Sequence, residues 1–193
     1  TAKNFKIGFA DFNQTKLLAE LKGKFSDKEI LEAGIFLKNE KGFYPFQRNR
    51  VVFPIQNSSG KIIGFGGRVI DDSQPKYLNS KDSKFFNKTR ELYGFNNAKK
   101  DQKTDDFIVT EGYMDVVMLS EHGVNNAVAS LGTAFSQNHM NAMFKMRRKI
   151  TFCFDSDEAG LKAAWRALQI SLKNVFDDRT VRFLFLPEGY DPD

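Results

Sequence analysis

The residues best suited to chemistry in this sequence are acids that come soon after short apolar runs and have no Lys or Arg beside them. These acids are Glu111, Asp155, Asp157, Asp191 and Asp193. Carboxylates that converge without counter-charges repel one another, and hard divalent cations such as Mg²⁺ or Mn²⁺ prefer oxygen ligands of this kind. If the fold gathers these acids, the sequence predicts a divalent metal site.

The elements that would gather them form a regular alternation after residue 106. Apolar runs at 107–109, 127–129, 150–154 and 181–186 alternate with helical patterns at about 115–122, 137–146 and 159–172. Such alternation predicts a mainly parallel sheet with helices on both faces. Ligands bind such sheets at the carboxyl ends of the strands, which is where the acids fall.

Each acid taken alone has a simpler interpretation, because an Asp that follows a strand often only caps the next helix. The joint placement favours a site. Gly112 and Gly160 allow tight turns beside the acids, and Pro192 restrains the backbone between two aspartates.

The first half of the chain has a different pattern. Residues 13–37 predict two short helices with Ser26 as an N-cap, and residues 51–54 and 62–65 predict a hairpin joined by the polar turn 57–60. Residues 71–104 predict loops and short helices. We therefore predict a smaller basic α+β subdomain over 1–104, followed by a metal-binding α/β domain over 105–193.

Charge divides along the same line. The whole chain has a net charge of +5. Residues 1–104 hold 20 of the 29 Lys and Arg and 11 of the 24 Asp and Glu, so this part alone carries +9. Residues 105–193 hold the other 9 basic and 13 acidic residues and carry −4. This asymmetry suits a site in which basic residues hold phosphates and acidic residues hold metal ions.

Composition excludes several classes of protein. One Cys and two His cannot form an internal disulfide or a zinc site with four Cys or His ligands. With 41% hydrophobic residues the chain can bury a core, yet no apolar window is long enough to span a membrane. The first residue is Thr and the last is Asp193, which predicts a piece of a longer protein.

Several segments resemble a known family. Residues 111–115 (EGYMD), 130–133 (SLGT), 155–160 (DSDEAG) and 191–193 (DPD) are similar to the signature segments of the Toprim fold. Residues 48–55 (RNRVVFPI), 64–68 (GFGGR), 75–80 (PKYLNS) and 92–94 (LYG) resemble the bacterial replicative primases of the DnaG type. These motifs occur in family order across nearly the whole chain.

The resemblance implies a metal-dependent nucleotidyltransferase, the catalytic core that makes short RNA primers from ribonucleoside triphosphates on single-stranded DNA. It implies two or more Mg²⁺ or Mn²⁺ ions, catalytic roles for Glu111, Asp115, Asp155 and Asp157, and metal ligands at Glu111, Asp155, Asp157, Asp191 and Asp193. It also implies nucleotide or template contacts from Arg48, Arg50, Arg68, Lys76, Asn79 and Lys88.

The family further implies features that these residues do not contain. Its zinc belongs to an N-terminal module, and its contact with the replicative helicase belongs to a C-terminal region, both absent from this sequence. The resemblance implies a cytoplasmic protein of the bacterial replication fork with no membrane partner.

Four alternatives stay open from the residues alone: the primase domain of a phage-like primase-helicase, a Toprim nuclease, a Toprim topoisomerase and a non-catalytic DNA-binding module. A topoisomerase needs a tyrosine nucleophile, and none of the five tyrosines has a base-like neighbour in sequence. A nuclease would cut DNA without nucleoside triphosphates, and a passive binder would not depend on metal.

Overall fold

The computed structural model describes residues 1–176, 178–187, 190 and 192. The chain divides into two compact units. The first, here called the antiparallel unit, comprises residues 2–55 and 62–86. The second, the parallel unit, comprises Thr1, residues 56–61 and residues 87–193. The predicted boundary at residues 104 and 105 stays a prediction.

The antiparallel unit is built on a four-stranded sheet with two helices and a separate strand pair. Its elements are β1 (Gly8–Ala10), α1 (Thr15–Lys22), α2 (Asp27–Glu32), β2 (Phe36–Asn39), β3 (Gly42–Pro45), β4 (Arg50–Gln56), β5 (Ile62–Val69) and β6 (Tyr77–Asn79). The sheet order is β1-β4-β5-β6, while β2 and β3 pair only with each other among the described strands. Strand β1 is antiparallel to β4, and β6 is antiparallel to β5.

Local sequence accounts for several of these elements. Ser26 caps α2 in a reciprocal capping box with Glu29, as predicted for this position. The predicted hairpin is confirmed as β4 and β5, whose turn is closed by the Asn57 N–H donating to the Lys61 carbonyl at 3.0 Å. Strands β1 and β3 were not among the predicted strands. Strand β2 begins inside the range 13–37 for which two helices were predicted, and β6 lies in a stretch predicted as loops and short helices.

The parallel unit confirms the predicted alternation of strands and helices. Its elements are α3 (Phe95–Ala98), β7 (Asp106–Thr110), α4 (Tyr113–Glu121), β8 (Ala127–Ala129), α5 (Gln137–Phe144), β9 (Lys149–Phe154), α6 (Glu158–Ser171) and β10 (Thr180–Phe185). The sheet order is β10-β9-β7-β8, and every neighbouring pair is parallel. Helix α4 packs on β7 and β8, and α6 packs on β9.

The core of this unit is centred on the middle strands. Phe152 is 1% exposed and contacts Phe135 edge-on at 4.9 Å between ring centroids and Phe183 in a stacked arrangement at 5.1 Å. Val109, directly opposite Phe152 in the ladder, is also buried. Burial on both faces explains the nearly continuous apolar runs of these strands.

Helix α6 packs through small residues. Its buried positions are Gly160, Ala164, Ala167 and Ser171. Helical spacing places Leu161, Trp165, Leu168 and Leu172 on one face, yet Leu168 is only half-buried and the other three are exposed. The small side chains let the helix approach the sheet closely. At 14 residues α6 is the longest described helix, and no helix in the described ranges has the length and apolar character needed to cross a bilayer.

We predict that Phe152→Ala destabilises the protein by about 3–5 kcal/mol, because it removes a buried ring that its neighbours cannot replace. Phe185→Ala is the matched control, since Phe185 is 64% exposed and should cost less than about 1 kcal/mol. Urea unfolding followed by circular dichroism measures both. Equal losses in the two variants would contradict the assignment of Phe152 to the core.

Candidate active site at the carboxyl edge of the parallel sheet

Two of the predicted acids meet where adjacent strands end. Strand β7 ends at Thr110 and β9 ends at Phe154, so Glu111 and Asp155 leave the same edge of the sheet. The Asp155 backbone N–H donates a hydrogen bond to Glu111 Oε1 at 3.3 Å. Both residues are half-buried. The parallel sheet therefore brings these two carboxylates together, as their positions in sequence predict.

Asp115 and Asp157 are held by the first turns of the helices that follow. The Gly112 N–H donates to Asp115 Oδ2 at 2.9 Å, which fixes Asp115 at the start of α4. Asp157 is the N-cap of α6, and its Oδ1 accepts from the Gly160 N–H at 2.7 Å. Asp157 therefore caps α6, as an Asp placed between a strand and a helix often does. The capping hydrogen bond uses only Oδ1 of its carboxylate.

Gly160 sits where no side chain fits. A Cβ placed there would lie 2.1 Å from the Asp155 carbonyl oxygen and 2.9 Å from Glu111 Oε1. The helix backbone therefore touches both acids directly. This close approach explains the glycine that the sequence places beside the Asp-x-Asp pair.

The acids interact electrically. Burial raises the pKa of Glu111, the charge of Asp155 raises it further, and the hydrogen bond from the Asp155 N–H partly opposes both. Asp157 and Asp115 add smaller increases. The pKa of the buried Cys153 thiol is raised by burial and by Asp115 and Asp155. The charges of Asp155, Asp157 and Asp115 thus all disfavour the ionised form of Glu111.

The chemistry of this donor set suits a hard divalent cation, because all the candidate ligands are carboxylate oxygens. Within the described ranges, however, no three His, Cys, Asp or Glu side chains form a group that could hold a metal ion. The other two predicted ligands, Asp191 and Asp193, lie outside the described residues. Of the proposed ligands, Glu111 and Asp155 are therefore the pair that the structure shows in direct contact.

A pocket of about 280 Å³ opens beside Glu111. Val109, Phe135, Phe154 and Ala163 supply apolar lining, and Glu111, Ser130, Thr133 and Arg166 supply polar groups. The sequence motif at 130–133 contributes both hydroxyls. Arg166, from α6, was not among the predicted site residues.

Lys88 is anchored next to this region through its backbone. Its carbonyl accepts from Thr133 Oγ1 at 3.4 Å and lies 3.0 Å from His139 Nε2. Because His139 Nδ1 accepts from the Ser136 N–H, we assign the ring proton to Nε2, which donates to Lys88. Sequence inspection missed His139, whose only signal is its place three residues after the helix cap Ser136.

The other five predicted contacts lie in the antiparallel unit. Arg50 is buried, and its guanidinium donates to the carbonyls of Pro75 at 2.8 Å and Lys76 at 3.3 Å. Arg68 and Lys76 both lie over the exposed Tyr77 ring, at 5.7 and 5.8 Å from its centroid.

Arg48 and Asn79 complete the set. The exposed Arg48 guanidinium lies 5.8 Å from the Phe12 ring. Asn79 Oδ1 is buried without a hydrogen-bond partner among the described residues. The four described acids and Lys88 belong to the parallel unit, so the predicted site residues are divided between two units.

A parallel sheet with acids at its carboxyl edge is the arrangement expected of a Toprim-like domain, and comparison with known proteins assigns the chain to that class. Residues 108–193 match the family described as Toprim-like, and residues 1–99 match the DNA primase catalytic core, N-terminal domain. The chain belongs to the DNA primase catalytic core family. The expected fold class and family resemblance are confirmed.

Individual relatives support this membership. A DNA primase of Pseudomonas putida is 49% identical over 196 residues, which cover all of this chain and 30% of that protein. A solved DnaG primase catalytic domain bound to ssDNA is 42% identical with a TM-score of 0.91, covering 100% of this chain and 63% of that one. The zinc-binding and RNA polymerase domains of the Aquifex aeolicus primase give 36% identity and a TM-score of 0.90, covering 99% of this chain and 47% of that one. The chain thus spans about a third of the first relative's length.

We predict that Gly160→Ala destabilises the protein by about 1–3 kcal/mol. Helix propensity alone would make alanine better by about 1 kcal/mol, so the sign tests the close approach to Asp155. Gly8→Ala is the control, because nothing lies within 4 Å of a Cβ at that position. Denaturant unfolding that shows Gly160→Ala to be stabilising would contradict the geometry.

We predict that His139 makes stability fall as the pH drops from 7 to 5. Burial lowers the pKa of His139 to about 4, whereas the unfolded chain binds a proton near 6.5. Only the unfolded state gains that proton in this window, so about 2 kcal/mol is lost. His139→Gln should abolish this part of the slope, whereas His122→Gln, an exposed control, should keep it. Urea unfolding at each pH tests the prediction, and identical slopes in all three proteins would refute it.

Proposed function

We propose that this chain is the part of a DNA primase catalytic core that joins ribonucleotides into short RNA primers on single-stranded DNA. The observation that carries the proposal is the meeting of Glu111 and Asp155 at the carboxyl edge of the sheet. In a chain of this family, paired carboxylates at that edge support metal-dependent nucleotidyl transfer.

Glu111, Asp155 and Asp157 would hold Mg²⁺ or Mn²⁺, with Asp191 and Asp193 as further ligands. Bound there, such ions would supply charge neutralisation of the triphosphate and a lower pKa for the attacking primer hydroxyl. The residues of the chain set the geometry: the Asp155 N–H orients Glu111, and the Gly160 N–H holds one oxygen of Asp157. Asp115, which the Gly112 N–H holds in the first turn of α4, would add negative charge near the metal ligands.

The basic residues of the antiparallel unit would bind template and nucleotide phosphates. Tyr77, with Arg68 and Lys76 over its ring, combines an exposed aromatic face with two cations, a combination suited to single-stranded nucleic acid. Arg50 has a different task in this proposal: its bonds to the carbonyls of Pro75 and Lys76 hold that loop in place. Arg48, Asn79 and Lys88 complete the proposed contacts.

Several properties of the proposed whole protein follow from the family alone. They are zinc in a separate N-terminal module, helicase contact through a C-terminal region and a place in the bacterial cytoplasm. The division into a basic subdomain over 1–104 and a metal-binding domain over 105–193 rests instead on the pattern and charge of the sequence. The solved Aquifex aeolicus primase, with zinc-binding and RNA polymerase domains, supports the separate zinc module.

We predict that Asp155→Asn lowers primer synthesis at least about 100-fold, because it removes a charged ligand while keeping the shape of the side chain. The assay follows labelled ribonucleoside triphosphates on single-stranded DNA with and without Mg²⁺, using this chain and any longer natural protein that contains it. Asp178→Asn is the control, since Asp178 makes an exposed ion pair with Arg148 at 2.7 Å.

The outcomes separate the candidate functions. Metal- and triphosphate-dependent product that Asp155→Asn abolishes supports the primase. Metal-dependent cutting of DNA without triphosphates would contradict the primase proposal and identify a nuclease. Near-normal synthesis by folded Asp155→Asn would overturn the role of Asp155.

A further inference from the structure

The pocket beside Glu111 has a second charged group, of opposite sign. Arg166, on α6, lines it together with Glu111, Ser130 and Thr133. Within the described ranges the Arg166 guanidinium makes no ion pair within 4.0 Å and no hydrogen bond. Arg166 is also absent from the groups that shift the pKa of Glu111. The pocket therefore holds a cation and an anion that do not satisfy each other.

The lining gives this pocket the character of a ligand site. A mainly apolar surface with a few polar groups is typical of small-molecule sites. Here Val109, Phe135 and Phe154 are buried core residues, so that part of the wall is rigid. Gly132 has φ +71° and leads the chain past the half-buried Ser130 and Thr133. The result is a small space with hydroxyl donors and one guanidinium.

We propose that Arg166 binds a phosphate group of the incoming nucleoside triphosphate in this pocket. A guanidinium gives phosphate two parallel hydrogen bonds, and hydroxyl groups such as those of Ser130 and Thr133 can add single ones. The neighbouring carboxylates repel phosphate, so the exposed Arg166 cation on the wall of the same pocket would offset that repulsion. Glu111 and Arg166 would thus act on the same ligand from two positions of one pocket.

This inference rests on the proposed function and extends it to a residue outside every motif of the sequence. It also assigns the pocket a chemical class of ligand, a polyphosphate. Inorganic pyrophosphate, which shares that chemistry without a base or sugar, should compete for the same place.

The test is equilibrium binding of fluorescent N-methylanthraniloyl-ATP to the full chain in Mg²⁺, with displacement by inorganic pyrophosphate. Arg166→Ala should weaken binding of both by about 10-fold or more. Arg166→Lys, which keeps the charge but loses the paired donors, should fall between Arg166→Ala and the native protein. Arg182→Ala is the matched control, because Arg182 is an exposed arginine of the same unit outside the pocket.

The results decide between this inference and the proposed function. Unchanged binding by Arg166→Ala, or equal weakening by Arg182→Ala, overturns the role of Arg166 while primer synthesis by the native protein still supports the primase. A native protein that neither binds nucleotide nor makes primers overturns both. If Arg166→Ala lowers the melting temperature, Arg166→Lys with native stability decides: binding equal to native overturns the inference, and weakened binding supports it.

Discussion

The turn between β9 and α6 constrains the whole acidic site. It must pass so close to Asp155 and Glu111 that position 160 has no room for a Cβ. The same turn supplies two backbone donors, the Asp155 N–H to Glu111 and the Gly160 N–H to Asp157. Like charges are thus brought together by backbone hydrogen bonds and a glycine. The backbone thus fixes Glu111 and Asp157 without the help of a cation, and such preorganisation would suit the proposed phosphoryl transfer.

The sequence predicted the parallel unit well because its inner strands β7 and β9 and the short strand β8 are mostly buried. Continuous runs such as 150–154 leave a clear signal, and the rule that ligands collect at strand ends then identifies Glu111 and Asp155. The signal was weaker where strands are short. Strands β1, β2 and β3 span only three or four residues. They are strands because β1 pairs with the distant β4 and because β2 and β3 pair with each other. Local pattern does not encode such pairing.

The role of a side chain could be predicted from sequence only where it follows from the position of the residue at the end of a helix or strand. Asp157 caps α6 because of its place before the helix, and this could be read directly. Arg50 and Lys76 are both basic residues of motif segments, yet one is buried against carbonyl groups and the other is exposed. His139 bonds a residue 51 positions away in the chain. Such environments depend on tertiary contacts that a single sequence does not display.

Helix α6 shows the same limit with a functional consequence. Apolar residues at helical spacing ordinarily face a core, but here small residues pack inward instead, and Trp165 is 63% exposed. The rotation that buries Ala164 and Ala167 leaves Ala163 and Arg166 on the pocket beside Glu111. Had those apolar residues faced the sheet, the pocket would be lined differently. The small residues buried against the sheet thus go together with a helix rotation that puts Arg166 on the pocket beside Glu111. This rotation places a cation within the acidic half of a chain whose basic residues otherwise lie mainly in the first half.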